Sequence, residues 1–532
     1  MKHEHTPHCH CCPSAAATPT SSKSLEFSRR TFLGSMVAGG ALLSNVAWSS
    51  LAAGNDAEPD GPDGYFPPAP KRKALVVFPV LIYDHSQRRE QTSWRSWGGV
   101  QTPEAAAEEG EKIKKELADL KANADFPVDF LPLQICGHAG EAQNNENLAK
   151  ADVVLIYGAG GGIEGAQNYG KDVIVFQRWR SGPVYLQYEI VSPRFLRQHQ
   201  DTLQLKNITY DDVVTDSLEE LEWRLRALCG LKNMRNSRIL CVGRFDVWAQ
   251  GAERQQILFD AIKKSWNLDI QSVDYSVIDE LLDQARADEK LRAWAEKAAD
   301  AYLQIPNTKL STTRESVVNC FVLASIFAKL MQKAECSAIT VFGCMVTIIP
   351  KAETTACLTL SILNDAGYLA FCESDFAVVP SGMALAAITG QPVFLNDPTY
   401  PHDNIITLAH CTAPRKMNGV DYLPTEIVTH FESDYGAAPK VEFELGKEVT
   451  CILPDFLGVR WAGMKAKIVD VPFRPICRSQ LDVEYAVADE LVNEKMPGFH
   501  WMMCYGDYTR ELGYVLRRVG IQWDNLDKYP KY

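Results

Sequence analysis

The sequence predicts an α/β protein: two doubly wound α/β domains with mostly parallel sheets, followed by a β-rich, barrel-like C-terminal domain. Three observations carry this expectation. Apolar runs such as Ala74–Tyr83 (ALVVFPVLIY) are continuous rather than alternating, as in strands buried on both faces. Charged segments with helical periodicity lie between them. In the last third, short β-like runs crowd together with little helix among them.

Taken in order, the first α/β domain is expected over 73–232. After Ala74–Tyr83 comes a charged helix at Thr102–Ala122, strands at Val128–Leu133, Val153–Tyr157 and Val173–Arg178, and a helix at Glu219–Cys229. A second domain, 233–390, repeats the alternation. It has strands at Ile239–Val242 and Ile270–Tyr275, a helix at Glu253–Trp266, helical stretches over 277–303 and 313–334, and strands at Ala338–Gly343 and Tyr368–Cys372. Strand–helix alternation of this kind gives parallel sheets covered by helices. The third domain, 391–532, holds β-like runs at Phe394–Asn396, Ile405–His410, Ile427–Phe431, Val441–Leu445, Val449–Leu453, Ala466–Val471 and Trp501–Tyr505. Helical pattern is read at Leu481–Val492 and Tyr508–Val519.

The N-terminal residues read differently. Arg29-Arg30 precede an apolar, uncharged, Gly/Ala-rich stretch from Thr31 to Ala53 that ends in small residues. This is the form of a twin-arginine export signal over 1–53, which implies the twin-arginine translocase as a transient partner and a periplasmic or extracellular address. The His- and Cys-rich tract around His3–Cys12 would be removed with it. Residues 54–72, rich in Pro, Gly and Asp, read as a linker.

Composition excludes several classes. Hydrophobic residues are 46% of 532, enough for several cores, so a disordered or disulfide-stapled chain is excluded. The net charge is −13. The first 53 residues carry four basic and two acidic groups, so the remainder is near −15. That balance argues against nucleic acid as a partner, because such affinity comes from neutralising phosphates. Of 15 cysteines, 12 follow residue 53, scattered through apolar runs without CxxC spacing, which reads as buried thiols.

Four motifs bear on function. Gly158-Ala159-Gly160-Gly161-Gly162 follows a strand, but Ile163 replaces the third glycine of a dinucleotide fingerprint, so a tight turn with positive φ is the better reading. The loop Arg88–Gly99 (RREQTSWRSWGG), with Arg95, follows the first strand, where ligands of parallel sheets gather. Cys372-Glu373-Ser374-Asp375 and Leu395-Asn396-Asp397 each set carboxylates at a strand end, where they face a crevice instead of a buried sheet. His402, His410 and His500 are available to join them. Carboxylates with imidazole form a hard, oxygen-rich site suited to Mn²⁺ or Mg²⁺.

The segment from Cys372-Glu373-Ser374-Asp375 through Ile388-Thr389-Gly390 to Pro392-Val393-Phe394-Leu395-Asn396-Asp397 resembles the L-fucose isomerase family, with L-arabinose isomerase a more distant relative. Gly498-Phe499-His500-Trp501 and Tyr505-Gly506-Asp507 extend the likeness, which covers about 337–411 and 495–521. The resemblance implies a metal held by Glu373, by Asp397 24 positions later, and by His500, with His410 matching an arabinose isomerase ligand. It implies Glu373 and Asp397 as the catalytic pair, a monosaccharide as substrate, and a homo-oligomer whose neighbouring N-terminal domain completes the site, a role for Arg95. Trp501 stands where relatives have histidine or a small residue, and would narrow the pocket or stack on a sugar. Export is unusual for such an enzyme.

The expected chemistry is aldose–ketose isomerisation through a cis-enediol, with Mn²⁺ or Mg²⁺ on O1 and O2 and the two carboxylates moving the proton. The alternative is a catalytically silent, extracytoplasmic carbohydrate-binding protein that reuses the fold.

Overall fold

A computed structural model describes residues 64–160, 163, 165–185, 208–245 and 251–529. The expected export signal lies outside the described residues. The chain divides into two compact units: Arg72–Asn233, and Met234 onward together with the residues before Arg72.

The first unit is one parallel sheet with helices. Its elements are β1 (Leu75–Ile82), α1 (Pro103–Asn123), β2 (Val128–Phe130), β3 (Gln134–Cys136), α2 (Glu146–Lys150), β4 (Val153–Gly158), β5 (Asp172–Gln177), β6 (Val213–Thr215) and α3 (Leu218–Met234). The strand order is β2-β1-β4-β5-β6, with β3 pairing β1 beyond the end of β2. Phe78, Val80, Val154, Ile156 and Val175 are fully buried, which explains the unbroken apolar runs. Helix α1 starts where Thr102 accepts the Ala105 amide at 3.1 Å, and it buries Ile113, Leu117 and Leu120. Gly160 has no positive φ, and Gly161 and Gly162 of the expected turn lie outside the described residues. The role of Gly160 is close approach: a Cβ there would lie 2.5 Å from the Asp84 amide nitrogen.

The second unit begins with another parallel layer: β7 (Arg238–Val242), α4 (Ala252–Trp266), β8 (Asp269–Val273), α5 (Tyr275–Ala287), α6 (Glu289–Leu303), β9 (Thr308–Leu310), α7 (Arg314–Ala334), β10 (Ala338–Val341), α8 (Cys344–Ala352), α9 (Ala356–Asp365), β11 (Leu369–Cys372) and α10 (Val379–Thr389). Strands run β11-β10-β7-β8. The helical stretch expected over 277–303 is broken at Asp288, whose carboxylate accepts the Lys290 and Leu291 amides and starts α6. Helix α7 is apolar along its length because Leu323, Phe327, Leu330 and Met331 enter the same core as Leu240 and Ile339. The end of the expected linker is docked here. Tyr65 and Phe66 pack on Trp294 at 5.9 and 6.2 Å between centroids, and Tyr368 Oη donates to the Pro67 carbonyl at 2.6 Å.

The last third adds β12 (Phe394–Pro398), β13 (Ile405–His410), β14 (Thr425–Val428), β15 (Ala438–Val441), β16 (Glu448–Pro454), β17 (Arg460–Asp470), β18 (Ser479–Tyr485), α11 (Asp489–Lys495), β19 (Trp501–Tyr505), α12 (Thr509–Val519) and β20 (Gln522–Asn525). Six strands, in the order β16-β19-β12-β13-β18-β17, close through β16–β17 into an antiparallel barrel, and β20 adds parallel to β17. Strands β14 and β15 form a separate small sheet with β9. The expected helix over 481–492 is corrected. Its first part is strand β18, paired along its length with β13 and buried at every residue but Glu484, and only Asp489–Lys495 is helical.

Candidate active site

The site is built where the second parallel sheet meets the barrel. Strand β11 ends at Cys372, opposite Val341 of β10, and the Glu373 amide extends the ladder to the Val341 carbonyl at 2.8 Å. The chain then turns sharply. Glu373 and Ser374 have φ of +69° and +51°, left-handed conformations that cost L-residues roughly 1–2 kcal/mol each. Surrounding structure holds them there: the Ser374 amide donates to Thr340 Oγ1 at 3.0 Å, and the Asp375 carboxylate accepts the Ala377 amide at 3.0 Å.

The barrel supplies the other groups. Strand β12 pairs with β19 as Leu395↔Met502 and Asn396↔Trp501, so the next step of that register sets His500 beside Asp397. Strand β13 pairs Ala409 with Asp397, which brings His410 to the same end. His500 Nε2 lies 3.0 Å from Glu373 Oε2 and 3.5 Å from Asp397 Oδ1, and His410 Nε2 lies 3.5 Å from Glu373 Oε1. Glu373, His410 and His500 are buried and Asp397 is half-buried.

The second nitrogen of each imidazole is engaged. His500 Nδ1 lies 2.8 Å from Asp375 Oδ2, and His410 Nδ1 lies 2.8 Å from Thr412 Oγ1. Both rings therefore turn Nε2 toward the carboxylates, as metal-binding histidines do when a neighbour fixes the other nitrogen. Glu373 Oε2 and His410 Nε2, although close to these partners, make no hydrogen bond of proper alignment. Buried polar atoms that converge without pairing suit a shared cation. The groups that could hold a cation here are Glu373 and His410, with His500 beside Glu373 and Asp397 beside His500. Cys372 stands close as well: its sulfur and one ligand atom each of Glu373 and His410 lie within 4.8 Å of one another.

The charges are coupled. Burial opposes ionisation of Glu373, yet His500 and His410 outweigh it and hold its carboxyl below the ordinary value. Asp397 goes the other way: burial pushes it up to about 6, with Glu373 adding and the two imidazoles opposing. Burial works against protonation of both rings. Glu373 and Asp375 nevertheless raise His500 well above its ordinary value, and Glu373 and Asp397 raise His410.

Other residues singled out in the sequence lie elsewhere. Trp501 is buried but lines a separate cavity of about 250 Å³ with Pro398, Tyr400, Met496 and Phe499. His402 is exposed in the turn between β12 and β13. Arg95 belongs to the first unit, where its guanidinium lies 5.0 Å from the Trp94 ring centroid. Asp375 and Thr412 gain their orienting roles only from the fold. Asp375 was visible as a strand-end acid, while Thr412 carried no signal beyond being two residues from His410.

No protein-family model matches the chain, and no curated protein matches it in sequence.

Proposed function

We propose that the chain is a metal-dependent aldose–ketose isomerase acting on an open-chain monosaccharide. The observation that carries this reading is the convergence of Glu373, Asp397, His410 and His500 from separate segments, with both imidazoles oriented from behind. Mn²⁺ or Mg²⁺ bound there would polarise neighbouring sugar oxygens and stabilise negative charge developing on them.

The chain's own groups supply the rest. One carboxylate takes the proton from C2 of the aldose, and one carboxyl returns it to C1. Glu373, held ionised, suits acceptance. Asp397, 3.5 Å from the same His500 nitrogen that Glu373 approaches, is the second carboxyl available to carry the proton. Asp375 and Thr412 keep the two rings in place. Arg95 and an oligomeric neighbour remain part of the proposal through family likeness alone, and export through the Arg29-Arg30 signal alone.

The test is metal analysis of the purified protein, followed by incubation with an aldose panel in deuterated water. Metal-dependent ketose formation with deuterium exchange at the reacting carbon supports the reading. Sugar binding without exchange would favour the silent carbohydrate-binding alternative.

A further inference from the structure

The turn after β11 does more than aim Glu373. Neighbouring residues of a strand point to opposite faces. The left-handed backbone at Glu373 breaks that alternation, and Cys372 and Glu373 reach the same place. The Cys372 sulfur and one ligand atom each of Glu373 and His410 lie within 4.8 Å of one another, and all three residues are buried. They also line one small cavity of about 10 Å³, which admits a single water-sized particle. Much of the remaining wall is sulfur, from Cys344, Met345, Cys357, Cys411 and Cys477.

We propose that Cys372, Glu373 and His410 hold one borderline-soft divalent cation, Zn²⁺ foremost, with Cys372 as its sulfur ligand. The inference rests on the reading that this site holds a cation, and departs from it in the ion preferred. A thiolate, an imidazole and a carboxylate are three protein ligands of a tetrahedral zinc centre whose fourth position stays open. Atoms about 2.0–2.3 Å from a tetrahedral ion are roughly 3.3–3.8 Å apart, so side-chain shifts of about 1 Å close the set. Binding displaces the Cys372 thiol proton to solvent. His410 Nδ1 is held 2.8 Å from Thr412 Oγ1, which leaves Nε2, without an aligned hydrogen bond, to face the ion.

Two other uses fit less well. Mg²⁺ takes six oxygens and keeps several waters, and Mn²⁺ likewise prefers oxygen; neither these donors nor so small a cavity provide that shell. The other use is a plain thiol pair. Cys372 Sγ lies 3.8 Å from Cys344 Sγ, a weak contact that leaves the convergence with Glu373 and His410 unexplained.

The full-length chain would be purified without chelators, supplied with zinc, and examined by metal analysis and zinc-edge X-ray absorption. One zinc per chain with one sulfur at about 2.3 Å is expected. Cys372→Ser should lose that sulfur and weaken zinc retention against a competing chelator at least tenfold, whereas Cys344→Ser should keep both. If Cys372→Ser fails to fold, Co²⁺ loaded into the unmodified chain and into Cys344→Ser should give sulfur-to-cobalt charge-transfer absorption in each. A shell of nitrogen and oxygen only, a shell of two or more sulfurs, or no sulfur-to-cobalt band would each overturn the proposal. So would loss of the band in a folded Cys344→Ser chain, or unchanged zinc retention in a folded Cys372→Ser chain. The isomerase reading fails separately. Aldose deuterium exchange with Mn²⁺ in an all-nitrogen-and-oxygen shell would keep that reading and defeat the Cys372 ligand; sulfur-bound zinc with no exchange on any aldose would do the reverse.

Discussion

Two turns at the carboxyl ends of parallel strands invite comparison. One, Gly158-Ala159-Gly160, follows β4; the other, Cys372-Glu373-Ser374-Asp375, follows β11. In the first, the Ala159 and Gly160 amides both reach the Ile82 carbonyl, at 2.8 and 2.9 Å, and glycine is needed because the Asp84 backbone is too near for a side chain. In the second, glycine would suit the left-handed backbone better, yet two larger residues occupy it. Glycine at the first turn relieves crowding. Its absence at the second keeps strain in place so that a carboxylate points at two imidazoles. The glycine-rich segment is thus the structural turn, and the turn without glycine is the candidate for chemistry.

The sharpest way to break this contrast is Glu373→Gln. The amide can neither accept the proton nor supply the charge, so turnover should fall at least ~10²–10⁴-fold while the fold is kept. Isomerisation kinetics and circular dichroism check it. Unchanged turnover would remove Glu373 from the mechanism.

Gly160→Ala should do the opposite kind of damage. Its methyl must displace backbone, so the first unit should lose about 2–3 kcal/mol in denaturant unfolding. Tolerance of alanine would show that the turn has room after all.

Asp397 sharpens the picture through pH. In metal-free protein its carboxyl titrates at about 6, above the ordinary 3.8 of an unfolded chain. The folded state then binds the proton more tightly. Relative to acid pH, stability is lost as pH rises from about 4 to 6 and stays lost above that. Asp397→Asn should therefore stabilise the metal-free chain by about 1–3 kcal/mol at pH 8, and by nothing below pH 4. Adding Mn²⁺ should stabilise the parent more than the variant. A variant less stable than its parent at pH 8 would refute the assignment.

The smallest effect is expected from Ser374→Gly. Relief of the left-handed conformation should raise the melting free energy by about 0.5–1 kcal/mol, less whatever the Ser374 contact with Cys241 Sγ at 3.5 Å contributes. A net loss would mean that the hydroxyl contact outweighs the strain.

The parallel layers were legible because their strands are buried on both faces, so Leu75–Ile82 or Val153–Gly158 announce themselves by apolar continuity. Strand β18 was not. Its Asp482 and Glu484 alternate with apolar residues in a run that continues into α11, so the sequence shows a helical period across both. Three-residue strands such as β6 and β9 are too short to show a period, and α9 is buried all round, leaving no amphipathic contrast. Glu373, Asp397 and His500 were legible through local motifs. The meeting of Cys357, Cys411 and Cys477 was not, because each comes from a different element and tertiary packing alone unites them.

The position of β19 bears on when the site comes into being. This strand lies between β12 and β16, pairing Phe394 with Met503 and Cys451 also with Met503. Five staves can form hairpins and neighbours while the ring stays open, but the gap between β12 and β16 waits for a segment far along the chain. His500 enters at the head of that last stave. Such long-range pairing is slow, because loop closure must precede its reward. The barrel's closure and the arrival of the second imidazole are therefore one kinetic event, and a nascent chain that lacks β19 exposes two unpaired strand edges and an incomplete ligand set at the same time.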